Sequence, residues 1–304
     1  MTAAADIATR EIATREIATH APTRDAVGSH GSIRYLVSAI CIFLIVIMLW
    51  PVVMSFLASI KTPAEAMATP PTYLPHTLSL DNYLKVYNYQ AGLPTYLFNS
   101  LSVAFLTIFF CLLLAVPAAY GLARFPVPGK ELLFIILLLG LMIPYQALVT
   151  PLYLMFSKLG LTNTQVGLAL VHTIVQLPFS VFLLRNSFEA VPKALEEAAV
   201  IDGCNSWQTL WRVFLPLVKA GIVTVILFAF IASWNEFLGA LIFMSRENNF
   251  TIPIMLVSVR AGRHGAVDWG ALQAGIAIAI IPCVAIYVLL QKYYMSGFLS
   301  GAVK

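Results

Sequence analysis

Apolar residues in this chain do not alternate with polar ones. They come in six long runs, approximately Ile33–Leu57, Tyr96–Tyr120, Leu132–Phe156, Gln165–Leu184, Leu217–Met244 and Trp269–Gln291. Each run is near the roughly 20 residues a helix needs to cross a bilayer. Continuous runs predict helices, because barrel strands alternate lipid-facing apolar with lumen-facing polar side chains. The pattern therefore predicts an all-α membrane protein with about six transmembrane helices. Pro51, Pro117, Pro144, Pro178 and Pro282 lie inside runs and predict kinks, which membrane helices tolerate. No discontinuous pair of helices is apparent.

Composition removes the alternatives. Of 304 residues, 60% are hydrophobic and only 11% charged, and the mean hydropathy is +0.86. A soluble domain carries about 25% charged residues. A soluble enzyme, a disordered chain and a secreted disulfide scaffold are excluded. The net charge of +4 is too mild for nucleic-acid binding. Cys41, Cys111 and Cys283 lie in apolar runs and Cys204 in a polar segment. No pair has metal-ligand or CxxC spacing, so they are read as small apolar filler and no metal site is expected.

Residues 1–32 are polar and contain a tandem pentapeptide, Ile7–Glu11 repeated as Ile12–Glu16. One Ile per five residues cannot build a core, so a flexible tail is expected. The first apolar run starts too late, and is too long, for a cleaved signal peptide. Twelve of the 18 Lys and Arg residues fall on the same side as the N-terminus and six on the other. This places both termini in the cytoplasm. The outer loops are then 58–95, 157–164 and 245–268.

The cytoplasmic stretch from Arg185 to Lys219 predicts two short amphipathic helices. Pro192 sits where a first turn tolerates proline, and Glu196 and Glu197 lie early in the first helix, where its dipole favours acid. Gly203 has the position of a residue that ends a helix. Asn205 and Gln208 have the spacing of a reciprocal helix cap. Trp207, Leu210, Trp211 and Phe214 then form an apolar stripe. Two tryptophans there need cover: the membrane interface or the chain's own helices on one reading, a groove on a partner on the other.

Glu197-Ala198-Ala199, three residues, Gly203, nine residues, then Val213-Phe214-Leu215-Pro216 resembles the EAA loop of ABC importer permeases. The family pattern has Ile where this chain has Val213. Asn99-Ser100, Trp234-Asn235-Glu236-Phe237 and the ending Gly297–Lys304 are similar to the carbohydrate-uptake branch, which includes the smaller permease of the maltose transport system. The resemblance covers about residues 33–304. It implies a type I ABC importer permease fold in a prokaryotic inner or plasma membrane. The domains would be a cytoplasmic tail (1–32) and a transmembrane permease domain (33–304), with an EAA-like coupling loop at about 192–216. It further implies ATPase-coupling roles for Glu196, Glu197, Ala198, Ala199, Asp202, Gly203, Trp207, Leu215 and Pro216. The implied partners are a homologous second permease, an ATPase dimer, an extracytoplasmic sugar-binding protein and membrane lipid.

No cofactor is expected on this chain. A phosphate-cradling loop needs G-x-x-x-x-G-K-[ST]. The Gly129-Lys130 pair is followed by Glu131, with Arg124 where the first glycine belongs. ATP and Mg would be bound by the partner ATPase, and this chain is not expected to be an enzyme.

Polar residues inside the spans are candidates for a translocation path: Gln146, His172, Gln176, Asn235, Glu236 and Gln273. His172 and Gln176 share a helix face. Glu236 would cost about 2–3 kcal/mol facing lipid near the bilayer centre, so it should face the bundle. The competing reading for each is interhelical hydrogen bonding. No basic residue lies in the central parts of the spans, which favours a neutral sugar, maltose- or trehalose-like by the branch resemblance, with polyols and glycerol phosphodiesters or phosphates as the other substrate classes left open. A stand-alone secondary carrier or channel for small polar solutes is the alternative; it leaves the cytoplasmic helix pair without a purpose.

Overall fold

A computed structural model describes residues 29–260 and 267–302, with the side chains of 34–260 and 267–292. The pentapeptide repeat, Arg263 and the side chains of the Gly297–Lys304 ending lie outside the described residues. The chain divides into two units, Met1–Met54 and Ser55–Lys304. In the first, the described part is helix α1 (Ser29–Ser59, continuing into the second unit), with large apolar side chains exposed from Tyr35 to Val53.

The second unit begins with two short helices, α2 (Pro63–Ala66) and α3 (Asp81–Tyr87), in the first outer loop. Two long spans follow, α4 (Leu93–Arg124) and α7 (Gln165–Glu189), and pack against each other. Fully buried small residues sit at their contact, Ala115 and Ala119 of α4 beside Val181 and Leu184 of α7, and Ala169 of α7 in one cluster with Val103 of α4. Small side chains let membrane helices approach closely, where lipid gives no hydrophobic drive for association. The last span, α14 (Trp269–Ala302), packs against α11 (Lys219–Asn235). Pro51, Pro117, Pro178 and Pro282 all lie inside continuous helices, as expected.

Two spans differ from the unbroken helices expected. The third is a broken pair, α5 (Lys130–Leu139) with a 3-10 turn to Met142, then α6 (Tyr145–Lys158), bent by 101°. Its cause is Pro144: Ile143 before it is extended at ψ 121, because proline clashes with a helical predecessor. The fifth stops at Asn235, and a separate six-residue helix, α12 (Leu238–Phe243), follows. No proline makes this break. Glu236 is extended at ψ 124, and its carboxylate accepts from the backbone of Gly239 and Ala240. A side chain that caps the next helix competes with continuing the previous one.

On the outer side the Asn99-Ser100 pair pins the third outer loop. Asn99 Nδ2 donates to the carbonyls of Asn248 (2.7 Å) and Phe250 (3.0 Å), and its Oδ1 accepts from Gln165 (2.7 Å). Ser100 Oγ accepts from the Ile252 backbone at 2.8 Å. These bonds satisfy loop backbone groups that have no helical partner.

Candidate functional site

Two places collect the polar residues singled out by sequence. The first is the cytoplasmic loop. Helix α8 (Lys193–Ile201) starts after Pro192, and Gly203 follows at φ 81, a conformation that costs other residues about 1–2 kcal/mol. The reciprocal cap is present: Gln208 N donates to Asn205 Oδ1 at 2.8 Å, and Asn205 N to Gln208 Oε1 at 3.0 Å. It opens α9 (Ser206–Thr209), which runs into a π-helical turn at Leu210–Phe214 and α10 (Leu215–Leu217). This second segment meets α11 at 79°.

The expected apolar stripe divides. Leu210 and Phe214 are buried against Tyr120 and Phe188, while Trp207 and Trp211 are more than half exposed. In α8, Ala199 is buried, whereas Glu197, Ala198, Val200, Ile201 and Asp202 are exposed. Glu196 turns inward. Its carboxylate lies 3.5 Å from Arg124 Nη1, and the same guanidinium donates to the carbonyls of Phe188 and Val191 and sits over the Phe214 ring. One side chain thus ties the ends of α4 and α7 to α8. Sequence reasoning did not single out Arg124 for this; the only signal was a basic residue at a cytoplasmic span end.

The second place lies where the two broken spans meet. His172 Nδ1 is 2.9 Å from Ser233 Oγ, and its Nε2 is 3.1 Å from Glu236 Oε2. The Glu236 carboxylate also accepts from Gly239 N at 2.7 Å and Ala240 N at 2.9 Å. Non-helical backbone at membrane depth is tolerated only in protein or beside a wet cavity. Here the break borders a cavity of about 150 Å³ lined by Tyr145, His172, Val175, Gln176, Ala232 and Glu236. The Tyr145 hydroxyl is buried without a hydrogen bond and packs on Gly239, where a Cβ would come within 2.0 Å of it.

Of the six expected path residues, His172, Gln176 and Glu236 come together in this cavity. Gln146 is exposed and does not line it. Asn235 points elsewhere, bonding the Ile231 carbonyl at 2.9 Å and facing a separate pocket with Trp234, Phe237 and Leu256. Gln273 accepts from Ser55 Oγ. Tyr145, which the sequence offers either as a ring to stack on a sugar face or as an ordinary span-end aromatic, is a wall of the cavity.

The family described as binding-protein-dependent transport system inner membrane component matches residues 112–298. A probable ABC transporter permease protein of Bacillus subtilis is 36% identical over 84% of this chain and 83% of its own. The trehalose/maltose transport system permease protein of Thermococcus litoralis is 35% identical over 88% and 94%. The sulfoquinovosyl glycerol transport system permease protein of Agrobacterium fabrum is 33% identical over 90% and 93%. Among solved structures, a chain of a bacterial ABC transporter that imports the acidic polysaccharide alginate superposes with a TM-score of 0.75 at 24% identity, over 86% of this chain and 97% of that one. Six runs of span length, the loop between the fourth and fifth, and the fold agree with these matches: the chain belongs to the family of inner membrane components of binding-protein-dependent transport systems.

Proposed function

We propose that this chain is one permease subunit of an ATP-driven importer of a di- or oligosaccharide. It would form half of the translocation path beside a homologous permease, receive sugar from an extracytoplasmic binding protein, and be driven by an ATPase dimer that holds the ATP and Mg. Relatives named for trehalose/maltose, diacetylchitobiose and arabinooligosaccharide transport support the carbohydrate reading.

The observation that carries the coupling reading is the Arg124 tie. Helix α8 offers Glu197, Ala198 and Asp202 outward and is fastened through Glu196 to the ends of α4 and α7. Ala199 packs it from behind, and Gly203 ends it. A push on this helix is delivered to two spans rather than absorbed by a loose loop. Trp207, Leu215 and Pro216 lie in the second segment, which sets the position of the first. On one of the displaced spans, α7, His172 and Gln176 border the cavity together with Glu236 from the break after α11; we assign the cavity to the path, with Asn235, Gln273 and Gln146, which lie outside it, as weaker members.

The test replaces Glu197 by Lys in the complete importer. Uptake should fall about tenfold or more, the loss expected when a central interface residue is removed, with membrane insertion and assembly unchanged. Retained uptake would overturn the coupling reading. Two broken spans are a feature that a stand-alone carrier would also use, but the family assignment and the tied α8 weigh against that reading.

A further inference from the structure

The two halves of the cytoplasmic loop carry opposite chemistry. From 189 to 203 there are four acidic residues, Glu189, Glu196, Glu197 and Asp202, against Lys193 alone. From 204 to 220 there is no acid, and Arg212 and Lys219 are both exposed. The second half also exposes Trp207, Trp211 and Leu217 at 61%, 56% and 52%, with the two indole rings packed edge to face at 5.8 Å.

We infer that this second half, Ser206–Leu217, is an interfacial anchor that seats Trp207 and Trp211 among the headgroups of anionic phospholipid on the cytoplasmic leaflet. Three observations carry it. The segment lies 79° from α11, so if α11 spans with the usual tilt, the segment runs close to the membrane plane. It joins that span through Val218 alone, which fixes its depth at the membrane surface. Its exposed face combines the indoles with Arg212 and no anion, and exposed Lys219 follows at the start of α11, the composition of helices that lie in the interface. A basic groove suits the acidic first half, whereas an anionic surface suits the second. The inference deepens the coupling reading and rests on it for purpose: Trp207 would act in coupling by holding α8 at a fixed depth, without touching the ATPase.

The test uses the complex purified from its native membrane into lipid nanodiscs. Emission of Trp207 and Trp211 is isolated as the difference between wild type and the W207F/W211F variant. Lipids brominated at the top of the acyl chain should quench roughly half or more of that difference, as expected for indoles at the interface. Acrylamide should quench it little, and stripping the ATPase should not change it. Brominated phosphatidylglycerol should quench better than brominated phosphatidylcholine. That preference should shrink by about fivefold per basic residue removed in R212Q/K219Q. Acrylamide quenching that the ATPase blocks would overturn the inference in favour of a protein groove. Insensitivity to both quenchers would overturn it in favour of cover by the chain itself. Neither readout depends on uptake, so failure here and failure of the Glu197 test are separate results.

Discussion

Helices α8 and α12 are both short, nine and six residues, and neither would hold together alone in water. They are held in different ways. Helix α8 stands at the aqueous face, started by Pro192 and ended at Gly203, with the Asn205–Gln208 cap directly after it. Helix α12 lies inside the bundle, where its first N–H groups are met by Glu236, itself held by His172 from another span. At the surface water can replace a missing partner. Inside, each orphaned group bears its full desolvation penalty, about 1–3 kcal/mol. The same backbone problem is therefore solved by neighbours in sequence outside and by a tertiary network inside.

Breaking the inner network should have the largest effect. Glu236→Ala orphans the Gly239 and Ala240 N–H groups and one His172 nitrogen together. We expect a loss of about 3 kcal/mol or more in the melting of the purified complex, with uptake abolished. Glu236→Gln keeps one carbonyl acceptor and should lose less than half as much. Equal melting of the Ala variant and wild type would show that α12 does not depend on this carboxylate.

Next is the contact between the two breaks. A Cβ on Gly239 would stand 2.0 Å from the Tyr145 hydroxyl and 3.1 Å from Glu236 Oε2. Gly239→Ala should cost about 1–3 kcal/mol as overpacking. Tyr145→Phe removes the hydroxyl and should restore part of it, although Tyr145 Cζ at 3.3 Å remains close. A double-mutant cycle in thermal stability reads the coupling; strict additivity would mean the two sites do not meet.

At the water face the effects should be smaller. Asn205→Ala removes one half of the reciprocal cap and should cost about 1 kcal/mol. It should lower uptake without dispersing the complex, as measured by amide exchange at Ser206–Thr209 and by transport. A loss as large as that of Glu236→Ala would erase the distinction between the two settings.

The same distinction explains what was legible in the sequence. Spans α1, α4, α7 and α14 were readable because bilayer thickness dictates a long apolar run. The loop was readable because Pro192, Gly203, Asn205 and Gln208 act on residues within four positions of themselves. The break after Asn235 was not, because its agent is a glutamate, a residue that does not ordinarily end a helix, and because it depends on His172 some sixty residues away. Pro144 is visible in the sequence, but Pro51, Pro117, Pro178 and Pro282 lie inside continuous helices, so proline alone does not tell a break from a kink; the extended Ile143 does. Grouping His172 and Gln176 needed only helical spacing; separating Asn235 and Gln146 from them needed the fold.

The first outer loop gives the mildest version of the comparison, a short helix capped by half-buried side chains of its own loop. Thr62 Oγ1 accepts from Glu65 N at 3.3 Å at the start of α2. The Glu65 carboxylate then accepts from the backbone N–H of His76 at 3.0 Å, from Thr72 at 3.0 Å and bonds the His76 ring at 2.8 Å. Those bonds, the His76 backbone first, hold its pKa at about 2, below the ordinary 4.5. A carboxylate whose folded pKa is depressed stabilises the fold above its unfolded pKa and loses that contribution as pH falls through the folded one. Exchange protection of the His76 amide should therefore be flat from neutral pH down to about 4.5 and decline only as pH falls toward 2. Glu65→Gln should remove that decline while leaving α12 and α8 unaffected. A decline centred near 4.5 in wild type would mean that the His76 bonds do not hold the carboxylate in solution, and that the cap on this outer loop contributes nothing measurable beside the one at Glu236.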